Sequence, residues 1–214
     1  MDGKQKCMII GAVPIRGKKL FQEFNPKEYY VICADAGYQT ALKHGIRPDM
    51  IVGDFDSASE LPPKDLNCLT LPVKKDVTDT MYAAMRGIQM GFRHFLILGG
   101  LGGKRFDHSI GNLEVMNYIT AQSCTATLAD ENTRAIMLHG RRMRITDSVG
   151  DTLSVFPYGG ASCNVTYKGM EYSLSGRTLS SGKTPMGVSN KIIADPAEIT
   201  INSGTALVIL YTGS

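Results

Sequence analysis

The chain has 214 residues, of which 43% are hydrophobic and 20% charged, with a formal net charge of +3. That length buries a substantial core in one large domain or two small ones, and the composition excludes a disordered chain. The small net charge, with no basic run carrying interleaved aromatics, excludes an evident nucleic-acid partner. No apolar run nears the roughly 20 residues that span a bilayer, so no membrane partner and a cytoplasmic location are expected.

From residue 6 to about 129, apolar strand-like runs at 7–12, 30–34, 50–53, 67–71, 95–98 and 125–129 alternate with helical patterns, the signature of β-α-β units. Near-continuous apolarity suggests that several of them are buried on both faces. Met81, Ala84, Met85 and Ile88 recur at spacings of three and four, which predicts a helix over 78–90 with the two methionines in the core; 107–120 is the second helix. Beyond residue 130 the helical period fades. Short runs at 153–156, 188–193, 198–201 and 206–211 follow one another between turn signals at 147–150, 158–160, Ser175-Gly176, Ser181-Gly182 and Asp195-Pro196. The expected fold is therefore an α/β domain over 1–128, a mostly parallel sheet with flanking helices, followed by an all-β sandwich-like domain over 129–214. Cysteines 7, 33, 68, 124 and 163 form no CxxC pair and are expected to be reduced core residues.

The chemistry concentrates where strands end. Ile51-Val52-Gly53-Asp54-Phe55-Asp56-Ser57 delivers two carboxylates into a turn-prone loop, and Asp35, Asp79 and Asp107 each follow a candidate strand and precede a candidate helix. Such junctions gather at the carboxyl edge of a parallel sheet, where ligands of these folds bind. Taken singly, Asp35, Asp107 and Thr78 read equally well as helix caps, worth about 1 kcal/mol each, and Asp56 and Asp49 as turn formers. Together, with Lys75, Lys104 and Arg105 nearby, they fit a site for a divalent cation and a phosphate. The glycine run 99–103 is one residue short of a Walker A loop and lacks GxGxxG, yet its amides with Lys104 and Arg105 suit a polyphosphate at a helix start. Among the histidines only His108 falls in this neighbourhood, and Ser109 beside it lacks the GxSxG setting of a nucleophile.

Cys33-Ala34-Asp35-Ala36-Gly37, Pro48-Asp49-Met50-Ile51-Val52-Gly53-Asp54-Phe55-Asp56-Ser57, Asp76-Val77-Thr78-Asp79-Thr80, the stretch from Gly99 to His108, and Gly187-Val188-Ser189-Asn190 stand in an order and spacing that resembles the thiamine pyrophosphokinase family. The resemblance implies transfer of a pyrophosphoryl group from ATP to thiamine, with an α/β domain for ATP and Mg²⁺, a β-sandwich that helps bind thiamine, and a homodimer with the thiamine site at its interface, against the other protomer's α/β domain. By position it makes Asp54, Asp56 and Asp79 the Mg²⁺-binding and catalytic carboxylates, with Asp107 also catalytic. It assigns Asp35, Lys75, Arg105 and His108 to ATP, and Tyr172, Ser189 and Asn190 to thiamine. Tyr172 stands where the family often has Trp, Ala36 replaces a usual glycine, and Lys104 is an extra residue before Arg105-Phe106-Asp107. Two alternatives stay open. A haloacid-dehalogenase-like phosphatase would use Asp54-x-Asp56 as its nucleophile loop, leaving the glycine run and the β-rich tail unexplained. A sensor would bind nucleotide or thiamine without turnover.

Overall fold

A computed structural model describes residues 5–55, 61–72, 74, 76–183 and 187–213. Its contacts divide the chain into Met1–Glu131 and Asn132–Ser214. In the first unit six strands, β1 (Lys6–Ile10), β2 (Tyr29–Ala34), β3 (Met50–Gly53), β4 (Cys68–Thr70), β5 (His94–Leu98) and β6 (Thr125–Ala129), lie in the order β6-β5-β1-β2-β3-β4. Every neighbouring pair is parallel. The helices are α1 (Lys19–Glu23), α2 (Gly37–Lys43), α3 (Asp79–Gln89) and α4 (Phe106–Ala121). All six expected strands are present with ends shifted by no more than two residues, whereas α1 was not foreseen and α2 was expected only as a helix of no stated length after Asp35. At five and seven residues they are too short to display a helical period.

Burial on both faces accounts for the unbroken apolarity of β1. Met8 and Ile10 face one core with Cys33, Ile51 and Leu98 and with Leu20 and Tyr38 from α1 and α2. On the other face α3 approaches so closely that a methyl on Gly87 would lie 2.6 Å from the Phe95 ring and 3.3 Å from the Cys7 sulfur. That proximity corrects the expected helix face: Ala83, Ala84 and Gly87 are the buried residues of α3, while Met81 and Met85 are only half-buried. Cys68 is also corrected, since it is exposed on the edge strand β4 while the other four cysteines are buried.

The second unit is antiparallel. Strands β12 (Gly187–Lys191), β9 (Thr152–Pro157), β14 (Thr205–Tyr211) and β7 (Thr133–His139) form one row, and β11 (Leu174–Ser180), β10 (Ser162–Lys168), β13 (Ala197–Ser203) and β8 (Arg142–Ile145) form the other. Alternate residues of both rows, among them Leu153, Val155 and Val208 facing Val165, Tyr167 and Ile199, make a shared core. Ser175-Gly176, expected as a turn, lies inside β11. Gly176 takes φ +58° there, its carbonyl accepts from Asn164 Nδ2 (2.8 Å) and its amide donates to Thr166 Oγ1 (3.0 Å). The β10–β11 register shifts at this point, so the glycine marks a bulge.

Candidate functional site

Strand order decides where the first unit can bind a ligand. β1 neighbours both β2 and β5, and the connections run away from it in opposite directions, so a crevice opens beyond its carboxyl end. The backbone after β1 is tied to β5, with Gly11 N–H donating to Leu98 O (2.8 Å) and Val13 N–H to Gly99 O (3.0 Å). Beside these contacts lies a cavity of about 270 Å³, walled by Val13, Ile15, Leu20 and Leu101 with Arg16 and Glu131 among its polar members. The reading of the sequence passed over this loop. Its signal was available, a Gly-x-x-Pro-x-Arg-Gly run directly after the first strand.

Asp35 and Asp54 end adjacent strands. Asp35 N–H donates to Val52 O (2.8 Å), and a methyl on Gly53 would stand 3.3 Å from the Asp35 Cα. Both segments are bent out of strand geometry by left-handed residues, Asp35 at φ +50° and Phe55 at φ +55°. Such conformations cost about 1–3 kcal/mol and persist only where the surroundings impose them. Here the Phe55 ring meets Tyr38 of α2 edge-on at 6.2 Å, and α2 itself is pressed down by Gly37, whose missing Cβ would sit 2.0 Å from Ile10 O. Neither Asp35 nor Asp107 caps a helix: α2 and α4 have Ala36 and Arg105 at their N-caps, without side-chain cap bonds. Thr78 does cap, accepting from Met81 N–H at 3.2 Å, and so presents the half-buried Asp79 as the first residue of α3.

Because α3 and α4 each follow a parallel strand and lead into the next, their first turns open at the same sheet edge as Asp35 and Asp54. Arg105 donates through Nε and Nη2 to both oxygens of Asp107, at 3.0 and 2.5 Å. Those bonds hold the Asp107 carboxyl down at about 2, against an ordinary value of 3.8. His108 and Lys104 are exposed beside the pair. Two further residues emerge as supports: Ser109 Oγ accepts from Gly102 N–H (3.0 Å), and the buried Asn112 donates to Gly100 O (2.8 Å). Ser109, set aside above as a nucleophile, thus fastens the glycine loop, and the cue was a pair of polar residues three apart within an apolar helix. Asp56 and Lys75 lie outside the described residues. Among the described residues no group of three or more His, Cys, Asp or Glu could hold a metal ion.

Tyr172, Ser189 and Asn190 belong to the second unit. Tyr172 and Asn190 line a cavity of about 360 Å³ with Leu153, Tyr167, Leu174 and Val188. Asn190 is buried and its amide is committed: Oδ1 accepts from Tyr172 N–H (2.9 Å) and Nδ2 donates to Tyr172 O (2.8 Å). This pair of bonds imitates a strand ladder and holds the segment carrying Tyr172, whose side chain remains 66% exposed. Ser189 is exposed, adopts φ +57°, and donates its N–H to Ser154 Oγ (3.0 Å).

Comparison with known proteins adds an independent line. Residues 21–128 match the model described as thiamin pyrophosphokinase, catalytic domain, and residues 142–207 match thiamin pyrophosphokinase, vitamin B1 binding domain. Thiamine pyrophosphokinase 1 of Oryza sativa subsp. japonica is 26% identical over 171 residues, which make up 73% of this chain and 64% of the rice protein. Among solved structures, thiamine pyrophosphokinase from Bacillus subtilis covers 98% of this chain and 100% of its own, with a TM-score of 0.85 at 23% identity. The Candida albicans thiamin pyrophosphokinase covers 98% and 90%, with a TM-score of 0.79 at 16% identity. At those identities the structural likeness establishes the fold.

Proposed function

The chain belongs to the thiamin pyrophosphokinase family, and from that premise we propose that it transfers a pyrophosphoryl group from ATP to the primary hydroxyl of thiamine, in a Mg²⁺-dependent reaction that releases AMP. The observation that supports this reading is that Asp35 and Asp54 follow adjacent parallel strands, at the sheet edge from which the topology also starts α3 and α4. We assign Met1–Glu131 to ATP and Asn132–Ser214 to thiamine.

ATP would enter with its nucleoside end toward the switch-point cavity and its phosphates toward the glycine loop. The loop, fastened by Ser109 and Asn112, meets the phosphates without reorganising. Gly102 N–H is already used by Ser109, so the amides beyond it and the uncapped first turn of α4 are the donors left for phosphate oxygens. Arg105, with Lys75, neutralises phosphate charge, and His108 is a further contact to ATP. Asp107 orients Arg105, and a carboxylate held near a pKa of 2 is a poor proton acceptor, so its part in catalysis is electrostatic.

Asp54, Asp56 and Asp79 would hold Mg²⁺, a hard cation suited to their oxygens and to Asp35 close by. Once bound there, Mg²⁺ would supply positive charge to offset that of the phosphates. The thiamine hydroxyl forms a bond to the β-phosphorus, the bond from that phosphorus to the α–β bridging oxygen breaks, and AMP departs with the electron pair. The hydroxyl proton passes to a carboxylate of the acidic cluster. Thiamine would sit in the second unit's cavity with Tyr172 stacked on it, an aromatic wall smaller than Trp.

A homodimer fits the exposed apolar residues. Phe106 is 77% exposed and Ile110 44%, one turn apart on α4, and a second copy would cover them. The test of the reaction is incubation with thiamine, ATP and Mg²⁺ followed by separation of products. AMP and thiamine diphosphate in equal amounts are expected, and ADP in place of AMP would overturn attack at the β-phosphorus. Sedimentation at micromolar concentration checks the dimer.

A further inference from the structure

The switch-point cavity of the first unit is walled from two sides. On the β5 side Val13 is tied by its N–H to Gly99 O, and Leu101 stands between Gly100 and Gly102, which Asn112 and Ser109 fasten. On the other side stand Ile15, at the far end of the loop after β1, and Leu20 of α1. His44, the C-cap of α2, reaches both of these segments. Its Nε2 lies 3.0 Å from Ile15 O, and its ring packs at 4.8 Å against that of Phe21, the neighbour of Leu20 on α1. A carbonyl only accepts, so Nε2 donates, as it can both in a neutral ring with its hydrogen there and in an imidazolium. His44 is itself fixed, since its N–H donates to Ala41 O (3.1 Å) at the end of a helix whose start is pressed onto β1 at Gly37.

We propose that His44 is a positioning residue for the nucleoside half of the nucleotide: without touching the ligand, its Nε2–H holds Ile15, and with it the wall from Ile15 to Leu20, in place before the nucleoside arrives. The inference rests on the reading above, in which this cavity receives the nucleoside end of ATP. Gly11 and Val13 are the loop residues bonded to β5, and two residues farther on the His44 bond takes over, with Arg16, exposed at the cavity, directly after it. A loop that must be ordered by its ligand draws on the binding energy, so a wall fixed in advance strengthens binding without a new contact. Without the donor, Ile15 O is left to water and the segment loosens. The loss then falls on the nucleoside, while the phosphates, served by the separately fastened glycine loop, are spared. That asymmetry separates positioning of the nucleoside from general support of the fold.

Two variants separate the bond from the packing. His44→Phe keeps a ring against Phe21 and removes the donor, whereas His44→Gln removes the ring and keeps a terminal N–H at similar reach. Calorimetry with AMP and with inorganic pyrophosphate is run beside steady-state kinetics. In His44→Phe the Kd of AMP and the KM for ATP should rise roughly three- to tenfold, the scale of one hydrogen bond, while kcat, the KM for thiamine and the Kd of pyrophosphate stay within about twofold. His44→Gln should return AMP affinity to within about twofold of wild type. Unchanged AMP affinity in His44→Phe would overturn the inference. Equal losses for AMP and pyrophosphate would overturn it also, since general loosening suffices for that, and so would a loss in His44→Gln as large as in His44→Phe, which would make the ring and not the bond the support. Should His44→Phe fail to fold, His44→Ala is set against His44→Gln and read by the same outcomes. Wild-type protein that binds AMP but makes no thiamine diphosphate strikes the parent reading alone, and the AMP comparison still decides the role of His44. Wild-type protein that binds no AMP overturns the inference.

Discussion

The two units handle polar groups in opposite ways. Met1–Glu131 sets its carboxylates at strand and helix ends, tolerates left-handed backbone at Asp35 and Phe55, and removes side chains wherever loops must touch. Asn132–Ser214 builds an apolar cavity and turns its buried amide onto its own backbone. A multiply charged ligand needs the first treatment, because charge is neutralised only by donors and carboxylates arranged in advance. An aromatic ligand with one polar edge needs the second. The contrast teaches that a site for charge is announced by residue types, and a site for shape by packing.

The largest effect should follow from attacking the charged side. Asp54→Asn keeps size and removes a formal charge from the adjacent carboxylates. Turnover is expected to fall about a thousandfold or more, the scale of a lost electrostatic catalytic group, with the protein still folded. Steady-state kinetics beside a thermal melt decides it. Turnover within tenfold of wild type would show that the cation is held elsewhere and would blur the contrast between the units.

How legible each unit was follows the same division. The parallel strands β1, β2, β3 and β5 were readable because burial on both faces writes an unbroken apolar run, and the acidic junctions because Asp54, Asp79 and Asp107 stand directly after such runs or open the helices that follow. The supports were harder to see. Ser109 and Asn112 are single polar residues in an apolar helix, and Gly37 looks like any turn glycine until Ile10 O lies 2.0 Å from its missing Cβ. In the second unit Gly176 carried a turn signal but forms a bulge, since a glycine at positive φ serves either and only the partner strand decides. Strands such as β8, four residues with one buried, have too short an alternation to stand out. The committed amide of Asn190 depends on a contact 18 residues away in sequence, which no local pattern encodes.

A middle-sized effect should come from the apolar side. Asn190→Leu removes both bonds to Tyr172 and leaves that residue's N–H and carbonyl without them. The KM for thiamine should rise about tenfold, that for ATP should stay within twofold, and stability should drop by about 1–3 kcal/mol, the cost of stranding a partially buried pair. Chemical denaturation measures the last. If ATP and thiamine KM values rose equally, the second unit would be serving both substrates, and its assignment to the acceptor alone would fail.

The smallest effect concerns Arg105 and Asp107, because the pair is exposed and water screens it. The Asp107 carboxyl titrates lower in the folded chain than in an unfolded one, about 2 against 3.8. Its contribution is therefore complete above the unfolded value and disappears as pH falls from near 4 toward 2. Asp107→Asn should melt about a degree below wild type at pH 7, and that gap should close as pH drops through this window. Between pH 5 and 9 the gap should stay constant, since neither partner changes charge there. A gap that opens or closes between pH 5 and 9 would mean that another ionising group governs the loop's charge, and the positioning of Arg105 would then not rest on a carboxylate that is ionised throughout the working range.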